Sequence, residues 1–318
     1  MEPVPTLSIT PKRLVKRAEK HLKRFAARFS EIPSEDDPDT IHDVRVSSRR
    51  LQQVFAIIFP KPRTEKQREL IRILKRVRRR LGACRSLDVN LDLIAEAIND
   101  AHDPATRNAW EQLRSYLQKE RKREINRATR KLSRYRRSEF VLLSDKCLER
   151  IGPELGSRDI NAALQESLGE ARQRWHETLV SAKQNRDPEQ LHALRIAGKR
   201  LRYRAELLAG FGDARAKAWV EALKELQQSL GRWHDRHVLF QSVAEFIGRP
   251  NFLLNHPEIA RSLLNEMEKE RNQEAAVVES IIKSADKVSE IVESTGSSNP
   301  SAADIRQVAV LSHRRFAR

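Results

Sequence analysis

Apolar residues recur at spacings of three and four along most of the chain, the period of helices with one buried face. Leu14, Ala18, Leu22, Phe25 and Phe29 mark a first stripe, behind a start at Thr10-Pro11. Ile41, Val44, Leu51, Phe55 and Ile58 mark a second. Asp37-Pro38 opens it, an N-cap followed by proline at the first helical position, and it closes before Pro60 and Pro62. The pattern predicts a third helix from about Thr64 to Leu81, with Gly82 as its C-terminal cap, and a fourth from about Leu87 to Ala101. Residues 104–150 read as a long helix and a shorter one. Further helices are predicted over about 159–185, 188–209, 214–230 and 235–247, then a long one over 256–293. The tract TGSSNPSAAD turns polar and small, so residues 294–318 are expected to form a flexible tail. With only 10 glycines in 318 residues, the expected fold class is all-α.

The pattern occurs twice. Residues 37–51 read DPDTIHDVRVSSRRL and residues 187–201 read DPEQLHALRIAGKRL, at a constant offset of 150. About 30 residues further on, Leu70, Leu74, Val77, Leu81 and Gly82 match Trp219, Leu223, Leu226, Leu230 and Gly231 at an offset of 149. Lys75 coincides with Lys224 in the same alignment. Two ordered matches at nearly one offset indicate a tandem duplication, with repeats over about 7–150 and 155–285. Four helices per repeat with short connections predict a pair of four-helix bundles.

Charge sharpens this picture. Lys and Arg number 61 against 44 Asp and Glu, a net charge of +17, which calls for an anionic partner. Aromatic residues are 5%, too few for the stacking platforms of single-stranded nucleic-acid binders. The basic residues lie in stripes beside the core faces. Arg13, Arg17, Lys20 and Arg24 follow the first helix, and Arg72, Arg76 and Arg79 the third. Arg123, Arg127, Arg130, Arg134 and Arg137 follow the bridging helix. Between Lys119 and Arg137 ten basic residues face two acidic ones, whereas solvated helix faces interleave signs. An anion that neutralises the stripes accounts for them.

In the repeated motif, His42, Arg45 and Arg49 share one face, well over 90° from the stripe of Ile41, Val44, Leu51 and Phe55. His192, Arg195, Lys199 and Arg202 repeat the arrangement. Both histidines sit in the second helical turn, where the dipole disfavours an imidazolium unless an anion docks at the same end. A neutral histidine bridging two helices is the structural alternative. Cys84 and Cys147 stand apart, without CxxC spacing, and read as buried free thiols. No signal peptide opens the sequence and no apolar run reaches bilayer length, so a soluble cytoplasmic protein without membrane contact is expected.

The segments HxxRVxxRRL and HxxRIxxKRLRY, followed by LxxVxxxLG and LKxLxxxLG, resemble the CHAD family, the conserved histidine α-helical domain. The resemblance covers residues 7–285. It implies paired four-helix bundles related by pseudo-two-fold symmetry, and a basic surface and central cavity that bind inorganic polyphosphate. On this chain the family's histidines fall on His42 and His192, and its basic partners on Arg45, Arg49 and Arg50 and on Arg195, Lys199 and Arg200. Its third-helix lysine falls on Lys75 and Lys224. With the stripe residues Arg17, Lys20, Arg24, Arg76, Arg79 and Arg202, these make up the expected polyphosphate site. Polyphosphate-metabolising enzymes become expected partners, and polyphosphate granules an expected location. No cofactor is expected. The family's aspartate after LG is displaced: the first repeat has Ser86 and Asp88, the second Asp235 and His237. Arg72, Arg76 and Arg79 become Glu221, Glu225 and Gln228, so the first repeat is expected to bind more strongly.

Other classes remain open, among them a structural or protein-interaction role in which the basic stripes meet an acidic partner protein. A nucleic-acid-binding protein fits the charge, but zinc-finger, RNP and KH signatures are missing from the sequence. A metal-dependent phosphohydrolase would draw on His192, His234, Asp235 and Asp286, in the order H…HD…D, a short pattern that arises easily. The expectation is a binding protein rather than an enzyme.

Overall fold

The structure, a computed structural model, describes residues 9–32, 37–59, 62–149, 151 and 160–294. Among these the secondary structure is helical: α1 (Pro11–Glu31), α2 (Pro38–Ile58), α3 (Glu65–Arg80), α4 (Gly82–Asp100), α5 (Pro104–Leu132), α6 (Arg137–Glu149), α7 (Ile160–Gln184), α8 (Pro188–Ala209), α9 (Ala214–Ile247), α10 (Phe252–Asn255) and α11 (Pro257–Ser294). Ser294 closes α11, and residues 295–318 of the expected tail lie outside the described residues.

The starts follow from the sequence. The Asp37 carboxylate accepts from the Asp39 and Thr40 N–H groups, and Pro38 supplies a helical φ with no donor to satisfy. Asp187 and Pro188 do the same for α8, with Asp187 accepting from the Gln190 N–H. Thr64 and Gln67 form a reciprocal capping box on α3. Asp213 accepts from the Ala216 N–H at the head of α9, after Gly212, whose φ of 103° favours glycine.

Of the two helix boundaries expected near glycines, one is a single residue and the other is absent. Gly82 does not cap α3; it is the first residue of α4, and only Leu81, at φ −85° and ψ 5°, separates the helices. The expected loop before Leu87 is helical. Nor does Gly231 divide the second copy, because α9 runs unbroken from Ala214 to Ile247. A glycine inside a helix costs about 1 kcal/mol, and the buried Leu230 and Trp233 on either side outweigh that.

The described chain forms two compact units. In the larger lie residues 10–32, 37–59, 62–149, 151 and 234–274; in the smaller, residues 9, 160–233 and 275–294. These units cut across the repeats, since residues 234–274 come from the second repeat. The core of the larger unit gives the reason. Leu239, Val243, Phe246, Phe252, Ile259 and Leu263 share one apolar cluster with Ile94, Trp110, Leu113 and Leu117 of α4 and α5. Each such side chain contributes about 1.5–3 kcal/mol when fully buried.

Helix α1 packs on α2 in the larger unit, and α7 packs on α8 in the smaller. Phe25 of α1 and Trp175 of α7, 150 residues apart, are both fully buried. Gly198, against which Trp175 lies, and Ser48, its counterpart in sequence, are both small and buried. Among the described residues no helix is long and apolar enough to cross a membrane. Cys84 and Cys147 are free and buried, and burial pushes both thiols up to about 11.

Candidate polyanion-binding site

Helix α2 carries two polar flanks on either side of its buried stripe. At 100° per residue, His42, Arg45 and Arg49 project on one flank, while Asp43 and Arg50 project on the other, roughly 80–160° around the helix. Arg50 therefore parts company with the residues that the sequence motif grouped it with.

On the first flank, the Arg45 guanidinium reaches the junction of α3 and α4, where Nη1 donates to the Arg78 backbone carbonyl at 2.6 Å. It lies 3.6 Å from the point where a side chain on Gly82 would begin. Arg45 is half-buried, and burial, followed by the nearby Arg49, Arg78 and Arg85, lowers its pKa to about 10. Desolvation leads this shift, and the neighbouring cations add to it. His42 stands at the edge of the same cluster. Burial and Arg85 hold it below the usual histidine range, against an opposing pull from Asp43 and Asp39. Arg78 donates from Nη1 to Gln52 Oε1 at 2.6 Å. Sequence reasoning missed Arg78 and Arg85. Arg85 fell in the loop expected after Gly82, and only a helix starting at Gly82 turns it toward α2.

On the second flank, Arg24 grips Asp43 with both carboxylate oxygens at 3.0 and 3.1 Å, and Arg28 lies 3.5 Å from the same group. Beside them is His21, half-buried on α1. Burial, then Arg17, Arg50, Lys20 and Arg24, lowers its pKa to about 4. His21 was absent from the expected site because it lies outside the repeated motif. Its visible signal was its spacing, four residues after Arg17 and three before Arg24.

Along α3, Lys75 and Arg79 are exposed, and Arg76 donates to the Tyr135 hydroxyl at 3.1 Å. Arg72 is held by Glu69. The stripe on α5 is less unmatched than its sequence suggested: Arg123 pairs with Glu120, Arg127 with Glu124, and Arg121 with the buried Asp88.

In the smaller unit, His192, Arg195 and Lys199 share one half-buried face of α8. Burial, then Arg195 and Lys199, pulls His192 down. Arg200 and Lys224 are exposed. Arg202 is engaged within the fold: Nε donates to Gln227 Oε1 at 2.7 Å, Nη1 pairs with Glu206 at 2.5 Å, and the guanidinium covers the Tyr203 ring. Asp286, from the phosphohydrolase pattern, pairs with Lys183 at 2.9 Å. Among the described residues no group of three or more His, Cys, Asp or Glu side chains could hold a metal ion. What the two clusters of the larger unit offer is fixed positive charge with N–H donors, suited to oxyanions.

Comparison with known proteins follows the same line. The family model of the CHAD domain matches residues 16–244, which include both copies of the motif. Among solved structures, the crystal structure of the CHAD domain from the plant Ricinus communis is similar, with a TM-score of 0.64 and 20% sequence identity. The match covers 86% of this chain and 91% of that one, a likeness of fold. No curated protein matches the sequence.

Proposed function

This chain belongs to the CHAD domain family, and from that premise we propose that it binds inorganic polyphosphate on its basic helical faces, as a binding module rather than a catalyst. The supporting observation is the basic cluster around Arg45, a guanidinium depressed first by burial and then by the charges of Arg49, Arg78 and Arg85. A folded protein tolerates such repulsion where an anion relieves it. A phosphate polymer carries negative charge on every unit and no bases, which suits guanidinium clusters with few aromatic platforms. Polyphosphate-metabolising enzymes are proposed as partners, and granules of the polymer as the place where they meet.

Calorimetric titration with long-chain polyphosphate, pyrophosphate, duplex DNA and heparin tests this reading. The long polymer is expected to bind far more tightly than pyrophosphate, because several basic sites are engaged at once. Its affinity should fall by orders of magnitude between about 50 and 200 mM salt as counterion release loses its advantage. Tighter binding of duplex DNA at matched phosphate and salt would make nucleic acid the ligand instead.

A further inference from the structure

We infer that His21, with Arg17 and Arg24 of α1 and Arg50 of α2, forms a phosphoryl-binding subsite that takes up a proton from solvent when it is occupied. This rests on the polyphosphate reading and adds a residue outside the repeated motif.

The subsite follows from where His21 falls on its helix. Leu14, Ala18, Leu22, Phe25 and Phe29 are buried, and His21 projects about 60° from the centre of that stripe, on the side of Arg17, Arg24 and Arg28. That position leaves the imidazole half-buried, with cations one turn before and one turn after it. Helix α2 brings Arg50 from the flank opposite Arg45 and Arg49. Helix α6, which also packs on α1, meets it through Phe140 against Phe25 at 4.9 Å. The carboxylate bonded at this crossing, Asp43, is already shared by Arg24 and Arg28.

Protonating His21 in the free protein would add a fifth cation beside Arg17, Lys20, Arg24 and Arg50. Burial first, and then these four charges, keep the imidazole neutral near neutral pH. A phosphoryl group lodged among the same cations reverses the sign of the local field. The imidazole then becomes a cationic N–H donor to a non-bridging oxygen, and the proton comes from water or buffer, with no covalent bond made or broken. The internal groups of a long chain stay ionised throughout, so the polymer interior does not supply it.

Calorimetry at pH 6 in buffers of different ionisation enthalpy counts the protons taken up with long-chain polyphosphate. The wild-type protein should take up protons, and His21→Gln should take up fewer. The affinity of the wild type should rise toward low pH by up to about tenfold per pH unit for one linked proton. His21→Gln should flatten that slope, while His42→Gln should retain the His21 share. A direct reading on the unmodified protein is the imidazole NMR titration, in which the resonance titrating near pH 4 should move to higher pH on adding polymer. If polyphosphate binds but neither the proton count nor the His21 titration responds, the subsite is overturned and the general reading stands. If polyphosphate does not bind at all, both fall.

Discussion

Arg78 donates from Nη1 to Gln52 Oε1 at 2.6 Å, and the repeat offsets carry that pair onto Gln227 and Arg202, which bond at 2.7 Å with the roles exchanged. Each copy joins its motif helix to the next by one guanidinium and one amide, but the guanidinium comes from opposite sides. In both copies the glutamine's Nε2 is buried without a hydrogen-bond partner. The exchange moves a positive charge. In the larger unit it stands on α3 beside Arg45; in the smaller it stands on α8, paired with Glu206.

Swapping the smaller unit's pair tests this equivalence. Arg202→Gln removes a charge-assisted bond and should cost about 1–3 kcal/mol. Gln227→Arg alone places two guanidiniums together and should also destabilise. The double variant recreates the Gln52–Arg78 arrangement, so the losses should fall short of additivity by about 0.5–3 kcal/mol. Urea unfolding of the four proteins checks it, and strict additivity would show that the two bridges are not interchangeable.

Two helical glycines should respond oppositely to alanine. A side chain on Gly231 meets nothing within 4 Å, so Gly231→Ala should stabilise α9 by about 1 kcal/mol through propensity alone. At Gly198 a new Cβ would lie 3.1 Å from the Trp175 ring, which is fully buried and has little room to yield. Overpacking costs about 1–3 kcal/mol and should exceed the propensity gain. Thermal melts of the two variants should therefore shift in opposite directions.

Acid should destabilise the ligand-free protein earlier than its carboxylates require. His21, His42 and His192 all resist protonation in the folded state, chiefly through burial, and His21 does so down to about 4. Below the unfolded value of 6.5 the unfolded chain gains protons that the folded chain refuses, so stability falls as pH drops from 6.5 toward 4. The capping Asp37 acts in the same sense at lower pH: hydrogen bonds from Thr40 lower its pKa, and its contribution is lost only as pH falls below the usual 3.8. Melting temperatures at pH 8, 6.5 and 5 should decline across the last interval. His21→Gln should reduce the decline.

Helix identity and the shared face of His42, Arg45 and Arg49 were legible because each rests on local period and local caps. Asp37-Pro38 and Asp187-Pro188 announce their helices without help from the rest of the fold. The end of α3 was read closely, but the loop after Gly82 and the break expected between 230 and 235 were misread because Gly82 and Gly231 are held in helix by buried neighbours, which a propensity argument does not weigh. The compact units were illegible for a related reason. An apolar stripe on residues 239–263 shows that a face is buried but does not say against which helix. Arg85 and His21 became visible as neighbours of the basic clusters only once α4 and α2 were in place. Arg202 left the candidate surface because its partner, Gln227, lies 25 residues away and carries no charge to advertise the contact.

Arg45 and Arg49 share a face, yet they should fail in different ways. Arg45 donates to the Arg78 carbonyl at the junction of α3 and α4. Removing it as Arg45→Ala leaves that acceptor without its partner and should cost about 1–2 kcal/mol, the range for a part-exposed charge-assisted bond. It also removes one cation, so binding and stability should fall together. Arg49 lies one turn further along α2, half-buried and acting on Arg45 through its charge. Arg49→Glu turns one repulsion inside the cluster into an attraction, so stability should hold within about 0.5 kcal/mol. Polyphosphate affinity should nevertheless drop sharply, since a carboxylate now faces the polymer among Arg45, Arg78 and Arg85. The corresponding change in the other copy, Lys199→Glu, should weaken binding less, because Arg78 is matched there by the neutral Gln227. Unfolding curves and polyphosphate titrations on the three variants give both readouts. Should Arg49→Glu bind like the wild type, the α2 cluster is not where the polymer docks.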